Sequence, residues 1–175
     1  MRNILILLMV SLLSFCCETE VKETGAANTI QSTDQAEILT TVNNVYNNII
    51  VESDNKPDFR AIKDQFTENA RLGFIKEDSL ILKNPSDYFD TMEGMLSENE
   101  VEYLKEWEIQ GETKLFGNIA QRTSLYGVHF NTKDSLAEKG IINFQLVKIK
   151  DQWKILSMIW ESEKSNLTVP VNYFE

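Results

Sequence analysis

The stretch LFGNIAQRTSLYG, residues 115–127, carries polar side chains at alternate positions of a predicted β-strand. Arg122, Ser124 and Tyr126 share one face of that strand, because successive side chains point to opposite sides. Such a face is typical of a strand that packs on helices at one end and reaches a partly polar cavity at the other. The alternative is that Arg122 is solvated and Ser124 only satisfies a backbone group.

Two residues near the end of this strand are candidates for catalysis. His129 is the only histidine in the chain, and a neutral imidazole acts as a general base near neutral pH. Tyr126 is the second candidate, as a tyrosine whose pKa is shifted in a dry pocket. The alternative for His129 is an exposed side chain without a role, since a polar loop follows it.

Composition argues against several other classes of site. The chain has 27 Asp and Glu against 17 Lys and Arg, and no basic run, so no nucleic-acid partner is expected. A single histidine and the absence of a D-x-D-x-D-G loop argue against a metal site. No phosphate-binding glycine loop and no G-x-S-x-G elbow occurs, so neither a nucleotide cofactor nor a serine nucleophile is predicted.

The first half of the folded part predicts three helices. Between residues 34 and 51 apolar side chains recur at intervals of three and four, with Ser32, Thr33 or Asp34 as the cap. A second helix is predicted from Pro57 to about Phe66. A third begins at Asn84, with Pro85 in its first turn.

The second half predicts long strands. Residues 103–112 alternate, with Trp107 and Ile109 on one face, and residues 119–130 follow the FGN turn. A polar hairpin loop at 131–140 leads to strands at 141–149 and 153–160. Helices followed by an antiparallel meander are typical of the α+β class.

Three segments resemble the nuclear transport factor 2-like superfamily, also called SnoaL-like or polyketide-cyclase-like. They are QFTENARLGF, LFGNIAQRTSLYG and INFQLVKIKDQWKILSMIWESE, and together they span about Asp34 to Glu163. The resemblance implies a cystatin-like cone, in which a curved antiparallel sheet wraps around three helices and leaves a cavity at its wide end. It implies these residues as the ligand pocket: Tyr46, Phe66, Trp107, Arg122, Ser124, Tyr126, Phe144 and Trp160. No match to the superfamily's catalytic His–Asp or Asp–Tyr pairs is found.

The N-terminus predicts export. Arg2 is followed by a nearly unbroken apolar run from Ile4 to Leu13, which is too short to span a bilayer and suits a signal peptide. LSFCC resembles a bacterial lipobox and favours lipidation of Cys17, with Cys16 as the alternative. We therefore expect a signal peptide at 1–16, a lipidated cysteine and flexible tether at 17–33, the folded domain at 34–165 and a tail at 166–175. The predicted location is the outer membrane or periplasm, with a soluble periplasmic or secreted protein as the alternative.

Three functions stay open at this point. The leading hypothesis is binding of a small, partly apolar molecule or a partner without catalysis. The second is an isomerase, cyclase or dehydratase acting in the cone, which a buried ionisable side chain in the cavity would favour. The third is a homodimeric scaffold that pairs through the outer sheet face, with Leu125, Val147 and Ile149 as contacts.

Overall fold

The first helix extends further toward the N-terminus than its pattern predicts. The computed structural model describes residues 25–175, so the predicted signal peptide, both cysteines and the start of the tether lie outside the described residues. Helix α1 spans Gly25–Asn48 and buries Ile38, Val42 and Val45 on one face. The predicted start at residues 32–34 is wrong, because no Pro or Gly interrupts the helix between Gly25 and Asn48.

Asp34 is therefore inside the helix and holds it to the sheet. Its Oδ1 accepts hydrogen bonds from Lys148 Nζ at 2.7 Å and from Trp153 Nε1 at 3.0 Å. These two bonds lower the pKa of the Asp34 carboxyl, and the Lys148 bond contributes most.

The second helix is shorter than predicted. Helix α2 spans Phe59–Lys63, and the side chain of Asp58 caps it by accepting from the Ala61 N–H at 2.8 Å. Phe66 is not helical but begins strand β1, Phe66–Lys76. The apolar spacing of Phe59, Ile62 and Phe66 is consistent with Phe66 in a helix or in a strand, because all three side chains pack into the core.

A short hairpin precedes the third helix. Strand β2, Ser79–Lys83, pairs antiparallel with β1 and was not predicted. Helix α3 spans Pro85–Glu98, and the Asn84 side chain accepts from the Asp87 N–H at 2.8 Å, as its predicted cap position requires.

Four long strands complete the sheet. They are β3 at Leu104–Phe116, β4 at Ile119–Phe130, β5 at Glu138–Ile149 and β6 at Gln152–Ser162. The sheet order is β2-β1-β6-β5-β4-β3. All neighbours pair antiparallel except β1 and β6, which are parallel. This curved, open α+β sheet with α1 packed on β3 and β6 confirms the predicted fold class, with one parallel pair added.

A bulge in β3 determines which of its side chains face the helices. The register between β3 and β4 shifts between Glu108 and Gln110. Before the bulge, Leu104, Glu106 and Glu108 face the inner side, and after it Gly111 and Thr113 do, because one extra residue reverses the alternation. Within residues 25–175 no helix is long and apolar enough to cross a membrane.

Candidate functional site

The space between the helices and one end of the sheet is not filled. A cavity of about 320 Å³ lies there, a size within the lower range of small-molecule sites. Helices α1 and α3 and strands β3 to β6 all contribute to its wall. The lining side chains are Val45, Tyr46, Ile49, Tyr88, Phe89, Met92, Met95, Leu104, Glu106, Tyr126, Val128, Phe130, Glu138, Ile142, Phe144, Met158 and Trp160.

Glu106 is the unusual member of this wall. It lies on the inner face of β3 opposite Val128 of β4, among apolar side chains. Among residues 31–175 its carboxyl has no hydrogen-bond or ion-pair partner. Burial, with a smaller contribution from the charge of Glu138, raises the pKa of Glu106 to about 8. The carboxyl is therefore mostly protonated at pH 7 in this environment.

A second polar group involves Tyr126. The Tyr126 hydroxyl donates to Glu138 Oε1 at 2.5 Å and lies 3.0 Å from Ser162 Oγ. The Ser162 hydroxyl also donates to Glu138 Oε1, at 2.6 Å. Burial first, and the bond to Glu138 second, raise the pKa of the Tyr126 hydroxyl. Because Glu138 is exposed, this group links the cavity to solvent.

Two further tyrosines contribute hydroxyls. Tyr46 Oη lies 2.8 Å from Ser124 Oγ, so these two buried hydroxyls satisfy each other. Tyr88 packs edge-on against Trp160, with ring centroids 5.3 Å apart. The pKa of each tyrosine is raised, mainly by burial and next by the negative charge of Glu106. Both hydroxyls are therefore neutral donors at physiological pH.

Arg122 is buried but is engaged elsewhere on the inner face. Its guanidinium donates to both carboxylate oxygens of Glu108, with Nε–Oε2 at 2.8 Å, and to Thr113 Oγ1 at 2.6 Å. Gly111 leaves room for this pair, because a Cβ there would lie 2.6 Å from Arg122 Nη2. The charge of Arg122 is thus compensated, and the residue is not part of the cavity wall.

The structure brings together half of the predicted pocket. Tyr46, Tyr126, Phe144 and Trp160 line the cavity. Arg122 and Ser124 face inward as the alternation of β4 predicts, yet they lie nearer the β3–β4 turn and do not line it.

The other two predicted lining residues lie elsewhere. Phe66 packs in the core against Phe89, with centroids 5.8 Å apart. Trp107 faces the outer side, where it contacts Gly127 and His129. The resemblance implied that both residues line the pocket, and the alternation of β3 instead places Trp107 on the face opposite to Glu106.

His129 is not at the cavity. It is an odd residue of β4 and lies on the outer face between Trp107, with centroids 4.8 Å apart, and Tyr103, at 6.4 Å. As a catalytic candidate it is therefore misplaced. Tyr126, the other candidate, does line the cavity.

Sequence reasoning missed Glu106, Glu138 and Tyr88. Glu106 lies on the face of β3 opposite to Trp107. An outward Trp107 would therefore have predicted that Glu106 faces the cavity. Glu138 was assigned to a loop but is the first residue of β5. Tyr88 gave no distinct signal, since it adjoins the buried Phe89 on α3. In the described part of the chain no group of three or more potential metal ligands occurs.

Comparisons with known proteins extend only to structure. No protein-family model matches the chain, and no curated protein matches it. Solved structures do match. A protein with a cystatin-like fold from Nostoc punctiforme has a TM-score of 0.61 at 14% identity, over 77% of this chain and 94% of that one. A protein from Pseudomonas putida, described as nuclear transport factor 2-like, has a TM-score of 0.62 at 11% identity, over 77% and 90%.

The chain has the nuclear transport factor 2-like fold. A third structure with this fold, from Streptomyces avermitilis, is a protein provisionally assigned as a dehydratase. It matches with a TM-score of 0.59 at 12% identity, over 77% of this chain and 99% of that one. At these identities the likeness establishes the fold and leaves the function to the residues of the cavity.

Proposed function

We propose that this nuclear transport factor 2-like domain binds one small, mostly apolar molecule in its cavity. The observation that carries the proposal is an unfilled volume of about 320 Å³ lined mainly by aromatic and aliphatic side chains. That volume corresponds to roughly ten water volumes and so to a ligand of about ten to fifteen non-hydrogen atoms. Protein interiors are otherwise close-packed, so an apolar void of this size costs stability unless a ligand fills it.

The polar groups of the wall favour binding over catalysis. The hydroxyls of Tyr46 and Tyr126 are already engaged by protein partners. The Tyr126 hydroxyl does donate to a carboxylate that Ser162 also holds, but that carboxylate belongs to Glu138, which is exposed, so water reaches it. Glu106 also lacks a partner that would hold it in one orientation.

Native mass spectrometry of the purified mature domain tests this proposal. We expect a bound molecule in the wild type and its loss in Val128→Phe, which adds volume inside the cavity. The matched control is Lys105→Phe, at an exposed position on the outer face of the neighbouring strand β3. An empty wild-type protein that also fails to take up small apolar compounds would contradict the proposal.

A second candidate function is acid–base catalysis of the isomerase, cyclase or dehydratase type. The observation that favours it is Glu106, an ionisable group inside the cavity whose pKa of about 8 suits proton transfer near neutral pH. The test is to incubate the co-purified molecule with wild type and with Glu106→Gln and to follow it by liquid chromatography and mass spectrometry. Conversion by the wild type alone supports catalysis, and an unchanged molecule in both samples rejects it.

We also propose that the domain is exported and anchored by a lipid on Cys17, or else on Cys16. Support comes from the apolar leader and the LSFCC sequence, which lie outside the described residues. Cys17→Ser and Cys16→Ser are each tested for membrane fractionation. If neither change releases the protein, the anchor is not at this pair.

A homodimer through the outer sheet face completes the proposal. Its support is apolar surface: Phe116 is 84% exposed and Ile119 60%, near the predicted contacts Val147 and Ile149. Native mass spectrometry gives the subunit count, and Ile149→Lys is expected to shift a dimer to monomer. A monomeric wild type at high concentration would contradict it.

A further inference from the structure

We infer that the ligand of this cavity carries a positively charged amine on an apolar, preferably aromatic, body. The inference rests on the proposed binding function and specifies the chemical class of ligand. It follows from the acidic character of the cavity wall, the unpaired carboxyl of Glu106 and the aromatic rings around it.

The charge of the wall has one sign. The two acidic side chains of the wall are Glu106 and Glu138, and no Lys, Arg or His is among the lining residues. The nearest buried cation, Arg122, lies outside the wall and is paired with Glu108. A ligand carboxylate or phosphate would find no cation among the lining side chains, whereas an ammonium would find two carboxyl partners, Glu138 and, once its proton is displaced, Glu106.

Glu106 is the group that a ligand would satisfy. Its carboxyl is inside the cavity and accepts no hydrogen bond from residues 31–175. A buried carboxylate without a partner is costly, and an ammonium donor supplies both the opposite charge and up to three N–H groups. Glu138, held by Tyr126 and Ser162, is exposed beside the opening and attracts a cation toward it.

Aromatic rings surround the same space. Tyr88 and Trp160 meet edge to face, and Phe89, Phe130 and Phe144 also line the wall. The faces of such rings attract cations within about 6 Å, with Trp the strongest. The remaining wall is aliphatic and suits the body of the ligand.

The acid–base state of the cavity wall provides a signature of amine binding. The titratable groups facing Glu106 are Glu138 from β5, Tyr126 from β4, Tyr46 from α1 and Tyr88 from α3. All three tyrosines have raised pKa values and stay neutral. Since the pKa of Glu106 is about 8, an ammonium that binds its carboxylate must displace a proton at pH 7.

The predicted pH dependence has a definite sign. Below pH 8 the fraction of ionised Glu106 rises with pH, so the affinity for a cation rises by about fifty-fold from pH 6 to pH 8 and then levels off. An alkylamine, like a lysine side chain, stays protonated up to about pH 10, so it does not titrate in this range. A neutral alcohol of the same shape is expected to show no such rise.

The experiment uses 3-phenylpropylamine and 3-phenylpropan-1-ol as matched probes. Their affinities are measured by isothermal titration calorimetry at pH 6, 7 and 8, in buffers of low and high ionisation enthalpy. The proteins are the full mature domain, its Glu106→Gln variant and the control Glu112→Gln, an exposed carboxylate on the same strand. We expect the amine to bind about tenfold or more tightly than the alcohol at pH 8, with release of close to one proton at pH 7. Both effects should vanish in Glu106→Gln and persist in the control.

Three outcomes overturn the inference, and they differ in what they say of the proposed function. If the alcohol binds as well as the amine, or Glu106→Gln leaves the amine affinity unchanged, the amine class is wrong and apolar binding stands. A co-purified ligand without a basic nitrogen leads to the same conclusion. If neither probe binds and no ligand co-purifies, both proposals fail. Should Glu106→Gln not fold, the proton release and pH dependence of the wild type decide alone.

Discussion

Replacing Glu106 with Gln should make the folded protein more stable at high pH. The carboxyl pKa rises from 4.5 in the ordinary state to about 8 in the fold, because burial and the Glu138 charge oppose ionisation. Ionising Glu106 in the folded protein therefore costs about 5 kcal/mol, at 1.36 kcal/mol per pH unit of difference. Water entering the cavity reduces this cost, so about 3–5 kcal/mol is expected above pH 8.

The sign follows from proton binding. Between pH 4.5 and 8 the folded state holds the Glu106 proton and the unfolded state does not, so the free energy of unfolding of the wild type falls as pH rises. Below pH 4.5 both states are protonated, and the penalty is absent. The Gln side chain has no proton to lose, so the stability difference between variant and wild type should grow from pH 5 to pH 8 and then level off.

Urea denaturation of the two proteins at pH 5, 6, 7, 8 and 9 measures this difference. Contributions of titrating groups that do not interact with Glu106 cancel when the two curves are subtracted. The control is Glu112→Gln, because Glu112 is an exposed carboxylate on the same strand and outside the cavity. A flat difference for Glu106→Gln would refute the reasoning, since it would mean that Glu106 ionises in the fold as it does in water.

Three further predictions concern the parts of the fold that support the cavity, and urea denaturation measures each. Asp34→Asn should lower the free energy of unfolding by about 1–3 kcal/mol at pH 7, because Lys148 loses the nearer of its two carboxylate partners and keeps only Glu37 at 3.7 Å. The Asp34 pKa is lowered in the fold, so this loss should be full above about pH 4 and disappear as pH falls further; an equal loss at pH 2 would contradict it. Gly111→Ala should cost about 1–3 kcal/mol, because its Cβ would lie 2.6 Å from Arg122 Nη2, and no loss would show that this buried pair moves freely. Gly94→Ala, inside α3, where the new Cβ would have no atom within 4 Å apart from its chain neighbours and the nearby backbone of its own helix, should instead stabilise by about 0.5–1 kcal/mol, and a loss there would reveal an unrecognised contact.

Much of the fold could be read from local patterns. The apolar periodicity of α1, the Asn84 cap of α3 and the alternation of β4 each correspond to the observed element. The less accurate boundaries lie where two structures satisfy one pattern. Phe66 fits the end of a helix or the start of a strand, and only its pairing with Ile155 of β6 decides between them.

The candidate site was predicted in part, and the errors have a common origin. Even-numbered residues of β4 face inward as predicted. Arg122 nevertheless pairs with Glu108 instead of lining the cavity, and the bulge in β3 shifts the register between these two strands. Trp107 and Glu106 lie on opposite faces of β3, as the alternation predicts. Trp107 was expected on the inner face, but it lies on the outer face, and Glu106 lines the cavity. A two-residue period separates the faces of a strand and does not say which of them meets the helices.

Most element types, the α+β class and the different character of the two faces of β4 follow from local patterns, because they depend on neighbours within a few residues along the chain. The parallel pairing of β1 with β6, the bulge, and the meeting of Glu106 and Glu138 at one cavity do not follow from such patterns. Those features depend on residues far apart in sequence. The raised pKa of Glu106 is the clearest case, since a glutamate on a strand is ordinary until distant helices and strands remove its water.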